Sequence, residues 1–67
     1  MSREFTFADF SAAIGFVVRT ALAAEVLDHH PDIDIRWNRV TLTLSTHSAG
    51  ALTELDRQLA ATIDGFV

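Results

Sequence analysis

Asp32–Leu44, DIDIRWNRVTLTL, is the stretch on which the fold turns. Ile33, Ile35 and Trp37 alternate with Asp34 and Arg36; Val40, Leu42 and Leu44 then alternate with Thr41 and Thr43. A strand turns successive side chains to opposite faces, so each half has one apolar and one polar face. Asn38-Arg39 reads as the turn between them, and the whole as an antiparallel hairpin. The polar side of the second strand continues through Ser45 to His47.

Before the hairpin, residues 10–28 read as a helix. Phe10, Ile14, Val17, Ala21 and Ala24 recur at steps of four and three, and Ala13, Phe16 and Val18 widen the stripe. Asp9 is placed to cap the first turn. Gly15 costs about 1 kcal/mol against alanine, and close packing against another element would account for it. Pro31 restricts the residue before it and reads as the stop. His29 and His30 then stand at the carbonyl end of the helix, which favours a protonated imidazole. Earlier still, Phe5 and Phe7 oppose Glu4 and Thr6, the pattern of a short strand.

After the hairpin, SAGAL reads as a loop hinged at Gly50. Thr53 with Asp56 resembles an acidic capping box. Leu55, Leu59, Ile63 and Phe66 supply the stripe of a last helix. The order β-α-β-β-α predicts an α+β two-layer sandwich, an antiparallel sheet with both helices on one face, as a single domain over 1–67.

Bulk composition narrows the classes. In 67 residues, 49% are hydrophobic, which suits a globule rather than a disordered chain. There is no cysteine, so disulfides and thiolate metal sites are excluded. The net charge is −4, and the five basic residues are arginines scattered at 3, 19, 36, 39 and 57. Direct nucleic-acid binding and anionic membrane surfaces both want clustered positive charge. No signal-peptide pattern opens the chain, and no apolar run approaches a membrane span. A cytoplasmic protein is expected. So small a domain has a thin stability margin, and self-association would widen it.

The three histidines carry the chemistry. Glu25 and His29 are four apart on the helix, so a carboxylate can orient an imidazole; the same spacing also makes ordinary surface contacts. Adjacent residues diverge by roughly 100° in a regular helix, a constraint that loosens at a helix end, where His29 and His30 could reach different atoms of one flat ligand. Three histidines also suit zinc. The His-Glu-x-x-His spacing is missing, however, and neighbouring histidines seldom share one ion, so no metal site is expected. Trp37 reads as core or pocket wall. Nucleophile, phosphate-loop and dinucleotide motifs are all missing from the sequence.

Glu25, His29-His30-Pro31, Trp37, His47 and Asp56, at these spacings and with the flanking words ALAAEVLDHHP and LSTH, resemble the pterin-4a-carbinolamine dehydratase family. The match runs from about Phe5 to Phe66 without an obvious gap. The resemblance implies dehydration of a 4a-hydroxytetrahydropterin to quinonoid dihydropterin, a hydro-lyase reaction that supports tetrahydropterin recycling and needs no metal or organic cofactor. It makes His29, His30 and His47 the acid–base and pterin-binding histidines, with Glu25 and Asp56 orienting imidazoles. Asp28, Ser45, Thr46, Ser48 and Trp37 fall in the substrate-binding set. The helix end and the end of the second hairpin strand are then expected to form the pocket together. Imidazoles, with an ordinary pKa near 6.5, can donate and accept protons near neutral pH.

The resemblance also implies an extra helix and strand before REFTF, which this sequence does not contain. The first strand becomes an uncovered edge able to pair with another chain. A homo-oligomer, dimer or tetramer, is expected, through that edge or through the apolar face of the long helix. Members of the family also serve as dimerisation partners of a homeodomain transcription factor. A non-catalytic dimerisation or assembly module is therefore the alternative reading.

Overall fold

The computed structural model describes residues 2–44 and 54–67. Its elements are β1 (Ser2–Thr6), α1 (Phe10–Leu27), β2 (Asp32–Arg36), β3 (Arg39–Thr43) and α2 (Glu54–Asp64), the expected order. The strands form one antiparallel sheet, β1-β3-β2, with β3 in the middle and β1 and β2 at its edges.

Register gives the sheet two unlike faces. Phe5, Val40 and Ile35 stand in one row, and Arg3, Leu42 and Ile33 in the next row of that face. This side is covered by the helices, and Phe5, Val40, Leu42 and Leu44 are buried with Phe16, Leu59 and Ile63. The opposite face carries Glu4, Thr41 and Asp34 in one row and Ser2, Thr43 and Asp32 in another. The rings of Phe5 and Phe7 lie 4.8 and 4.9 Å from that of Phe16, both tilted. Such pairs contribute about 0.5–1.5 kcal/mol each beyond burial, so Phe16 ties α1 to β1.

The hairpin turn is Trp37-Asn38, one residue earlier than expected, because Arg36 pairs with Arg39. Trp37 therefore leaves the strand, adopts φ 54 and is 65% exposed. The physical reason lies with Asn38. Its backbone carbonyl accepts from the Phe7 amide and its side-chain amide donates to the Phe7 carbonyl, both at 2.9 Å. Two bonds to the end of β1 fix Asn38 in the turn and leave Trp37 the left-handed position.

Helix α1 starts as expected: the Asp9 carboxylate accepts from the Ala12 amide at 2.8 Å. It stops differently. Asp28 is left-handed (φ 50, ψ 44), its amide bonds to Glu25 O, and the His29 amide bonds to Ala24 O. This Schellman turn ends the helix at Leu27, ahead of any effect of Pro31. The buried face also differs from the expected stripe. Ala13, Phe16, Thr20 and Ala24 are buried, whereas Phe10 is 50% exposed and Ala21 is exposed. Among the described residues Gly15 meets no close neighbour: a Cβ there would lie 3.9 Å from an Arg19 guanidinium nitrogen. Against the expectation about apolar runs, α1 is long and apolar enough to cross a membrane by length and composition, with mean hydropathy 1.6 over 18 residues. Counting unbroken apolar residues stops at Arg19 and Glu25, while an average absorbs them. In this fold the inner side of α1 packs on the sheet and α2.

In α2, Leu59 and Ile63 are buried and Leu55 is 40% exposed. The inward side is rotated from the expected stripe toward Asp56, which is fully buried. The proposed cap Thr53 lies outside the described residues.

Candidate active site

The Schellman turn arranges the histidines. With the left-handed residue at Asp28, the chain leaves the helix axis after Leu27, so His29 and His30 no longer follow helical spacing. His29 turns inward to α2, where its Nε2 hydrogen-bonds the Asp56 carboxylate. The imidazole is 14% exposed and the carboxylate not at all. His30 turns outward and back, its Nε2 2.8 Å from Glu25 Oε2, with both side chains largely exposed.

Glu25 thus pairs with His30 and not with His29, the neighbour that four-residue spacing suggested. That spacing holds only while the helix continues, and it ends two residues after Glu25. Asp56 combines two features rarely found together in a surface helix: it stands in the first turn of α2, where the dipole favours a carboxylate, and its side chain is fully buried against His29. Each imidazole is held by one carboxylate, and the two pairs are joined by the peptide between His29 and His30. One pair is largely buried, the other open to solvent.

Asp28 lies in the turn itself and is exposed. Trp37 is elsewhere: β2 separates it from the histidines, and five residues of strand extend about 17 Å. The structure does not bring it to this corner. Ser45, Thr46, His47 and Ser48 lie outside the described residues, and β3 runs toward them, ending at Thr43. In the outermost register pair, Asp32 faces Thr43. Asp32, just after the histidine turn, and Thr43, the last residue of β3, therefore stand at one end of the sheet. Sequence reasoning places Asn38 in the turn but misses its two bonds to Phe7, which set the hairpin, and it misses Thr20, whose hydroxyl is buried without a hydrogen-bond partner among the described residues. Among the described residues no group of three or more His, Asp or Glu side chains is gathered to hold a metal ion.

A two-layer α+β domain that presents two carboxylate-held imidazoles at a helix end has the equipment of a general acid–base site. Residues 1–66 match the profile of the pterin 4 alpha carbinolamine dehydratase family, and the chain belongs to that family. A relative from Chloroflexus aurantiacus that carries this dehydratase name provisionally is 61% identical over 62 residues, 92% of this chain and 67% of its own length. One from Acidobacterium capsulatum, named in the same way, is 54% identical across the whole chain and 73% of its own. The chain thus spans about two thirds to three quarters of these relatives. The crystal structure of a transcriptional coactivator/pterin dehydratase from Brucella melitensis superposes with a TM-score of 0.93 at 48% identity, covering 97% of this chain and 69% of that one. A pterin dehydratase-like protein described as a RuBisCO assembly factor in the alpha-carboxysome superposes at 0.82 with 26% identity, covering 97% and 75%.

Proposed function

We propose that the chain dehydrates 4a-hydroxytetrahydropterins to quinonoid dihydropterins by histidine acid–base catalysis. The observation that carries this reading is the pair of carboxylate-held imidazoles on consecutive residues, His29 on Asp56 and His30 on Glu25. The reaction breaks the bond between carbon 4a and its hydroxyl. A proton delivered to that oxygen lets it leave as water, and a proton is lost from a ring nitrogen as the new double bond forms. One group must donate while another accepts, and two imidazoles with unlike surroundings can divide those tasks. A buried carboxylate fixes the His29 ring. His30 is exposed enough to exchange its proton with water after each turnover. His47 is the third histidine of the proposed set, and Asp28, Ser45, Thr46 and Ser48 its proposed pterin contacts, as the family resemblance implies. We place the reaction in the cytoplasm, with no bound cofactor.

A second reading is favoured by the likeness to the RuBisCO assembly factor and to the coactivator/dehydratase: the same fold acts as an assembly or dimerisation module. The discriminating experiment is dehydration of freshly generated 4a-hydroxytetrahydropterin, followed by absorbance, with and without the folded protein. Acceleration above the spontaneous rate supports the dehydratase. A folded protein that gives no acceleration puts the assembly module in its place.

A further inference from the structure

A charge stands where the pattern of β1 calls for an apolar residue. Arg3 lies on the helix-covered face of the sheet, two residues from Phe5 and opposite Leu42. It lines a cavity of about 180 Å³ between β1, the end of β3 and α2. Among the described residues the walls are Phe5, Leu42, Leu44, Ala60 and Ile63, all apolar, and the polar lining is Arg3 and Asp64. Each wall residue is buried or half-buried, whereas Arg3 and Asp64 are 57% and 52% exposed at their side chains. The two charges therefore mark the mouth. They are held there: the Arg3 guanidinium donates to the Asp64 carboxylate and lies 4.9 Å over the Phe5 ring. Edge strands use inward charges to block pairing with another chain. That accounts for an arginine at this place, but not for a carboxylate set beside it over an apolar cavity.

The walls give the size of the ligand, and the mouth gives its charge. An apolar cavity of about 150 Å³ with Leu, Ile and Phe walls takes up a benzene ring, so this one accepts a phenyl or branched aliphatic group. The head that stays at the mouth meets a cation and an anion side by side. A lone carboxylate there would face Asp64, and a lone amine would face Arg3. We propose that the cavity binds a free α-amino acid with an apolar side chain of that size. The side chain fills the cavity, the carboxylate accepts from the Arg3 guanidinium, and the ammonium donates to the Asp64 carboxylate. A guanidinium fork suits a carboxylate. Exposed ion pairs are held weakly, so Arg3 and Asp64 exchange partners at little cost. An internal residue of a peptide carries neither backbone charge and a terminal residue only one, which restricts the site to the free amino acid. Asp64 stands about two turns of α2 beyond Asp56, and the binding does not depend on the dehydratase reading.

Backbone amide shifts of the isotope-labelled chain, followed by NMR as L-phenylalanine or L-leucine is added, test this. Saturable shifts at Phe5, Leu42 and Ile63 are expected, with a Kd of about 1 mM or tighter. Arg3→Gln and Asp64→Asn change exposed side chains, keep the far-UV spectrum of the parent, and each raise Kd at least about fivefold. Ala60→Leu fills the cavity from its wall and abolishes the shifts. Phenylpropionate, which lacks the ammonium, and phenethylamine, which lacks the carboxylate, bind at least about fivefold more weakly than phenylalanine. No saturable shift up to about 10 mM of either amino acid overturns the proposal. So does binding of unchanged strength in the two charge variants or in a folded Ala60→Leu, which would place the amino acid elsewhere. Phenylpropionate or phenethylamine binding as tightly as phenylalanine overturns the assignment to an amino acid.

Discussion

The two histidine–carboxylate pairs should differ sharply in energy, and a pair of double-mutant cycles measures the difference. His29 and Asp56 are 14% and 0% exposed at their side chains; His30 and Glu25 are 56% and 74% exposed. A hydrogen bond to a charged group contributes about 1.5–3 kcal/mol when shielded from water. An exposed ion pair contributes about 0–1 kcal/mol, and less as salt rises. The cycle through His29→Ala and Asp56→Ala is therefore expected to give a coupling of about 1.5–3 kcal/mol. The cycle through His30→Ala and Glu25→Ala should give about 0.5 kcal/mol or less. Asp56→Ala alone loses more than the coupling, because it also empties a buried position in the first turn of α2. For a domain of this size, 1 kcal/mol moves Tm by about 4–8 °C. Urea unfolding followed by circular dichroism supplies the four stabilities of each cycle. All variants must be compared at one protein concentration, since association adds to apparent stability. Equal couplings in the two cycles, or a His29–Asp56 coupling under about 0.5 kcal/mol, would refute the energetic contrast between the buried pair and the exposed one.

Two further outcomes test the frame around the site. Asp9→Ala removes the carboxylate that accepts from Ala12, and should cost about 1 kcal/mol in urea unfolding; no loss would mean the cap is not needed. Thr20→Val removes a buried hydroxyl that has no hydrogen-bond partner among the described residues. It should stabilise the fold by about 1 kcal/mol, read as a higher Tm, and a lower Tm would show that the hydroxyl is satisfied in solution.

The sheet was legible because its signal is local. Alternation from Ile33 to Leu44 and at Phe5 allows one set of faces, and a slip of one residue would turn every apolar side chain to water. The inward side of α1 was not legible in the same way. Phe10, Val17, Val18 and Leu22 surround most of the helix with apolar residues, and Thr20 in the buried centre looks polar on paper. Periodicity has little to choose between when both sides are apolar. The turn lies one residue earlier than the sequence suggests for a tertiary reason: Asn38 is fixed by Phe7, far off in sequence, and Trp37 takes a backbone conformation costly for a large side chain.

The site shows the same division. His29, His30, Glu25 and Asp56 could be singled out from their residue types and from the family pattern. Who pairs with whom could not, because a left-handed Asp28 ends the helix before helical spacing can bring Glu25 and His29 together. Asp and Asn tolerate that conformation better than most residues, so Asp28 was a signal available in the sequence. Pro31, three positions later, is the stronger stop signal by residue type and masks it.

In the proposed mechanism the exposed imidazole of His30 moves a proton in the dehydration step. The most direct test is the dehydration rate of His30→Ala measured with and without added imidazole. General acid–base catalysis contributes about 10²–10⁴-fold, so the variant should lose a factor in that range and recover part of it as free imidazole enters the open position. A variant as fast as a parent that accelerates the reaction, or a loss that imidazole does not repair in a folded variant, would rule out His30 as a proton-transfer group.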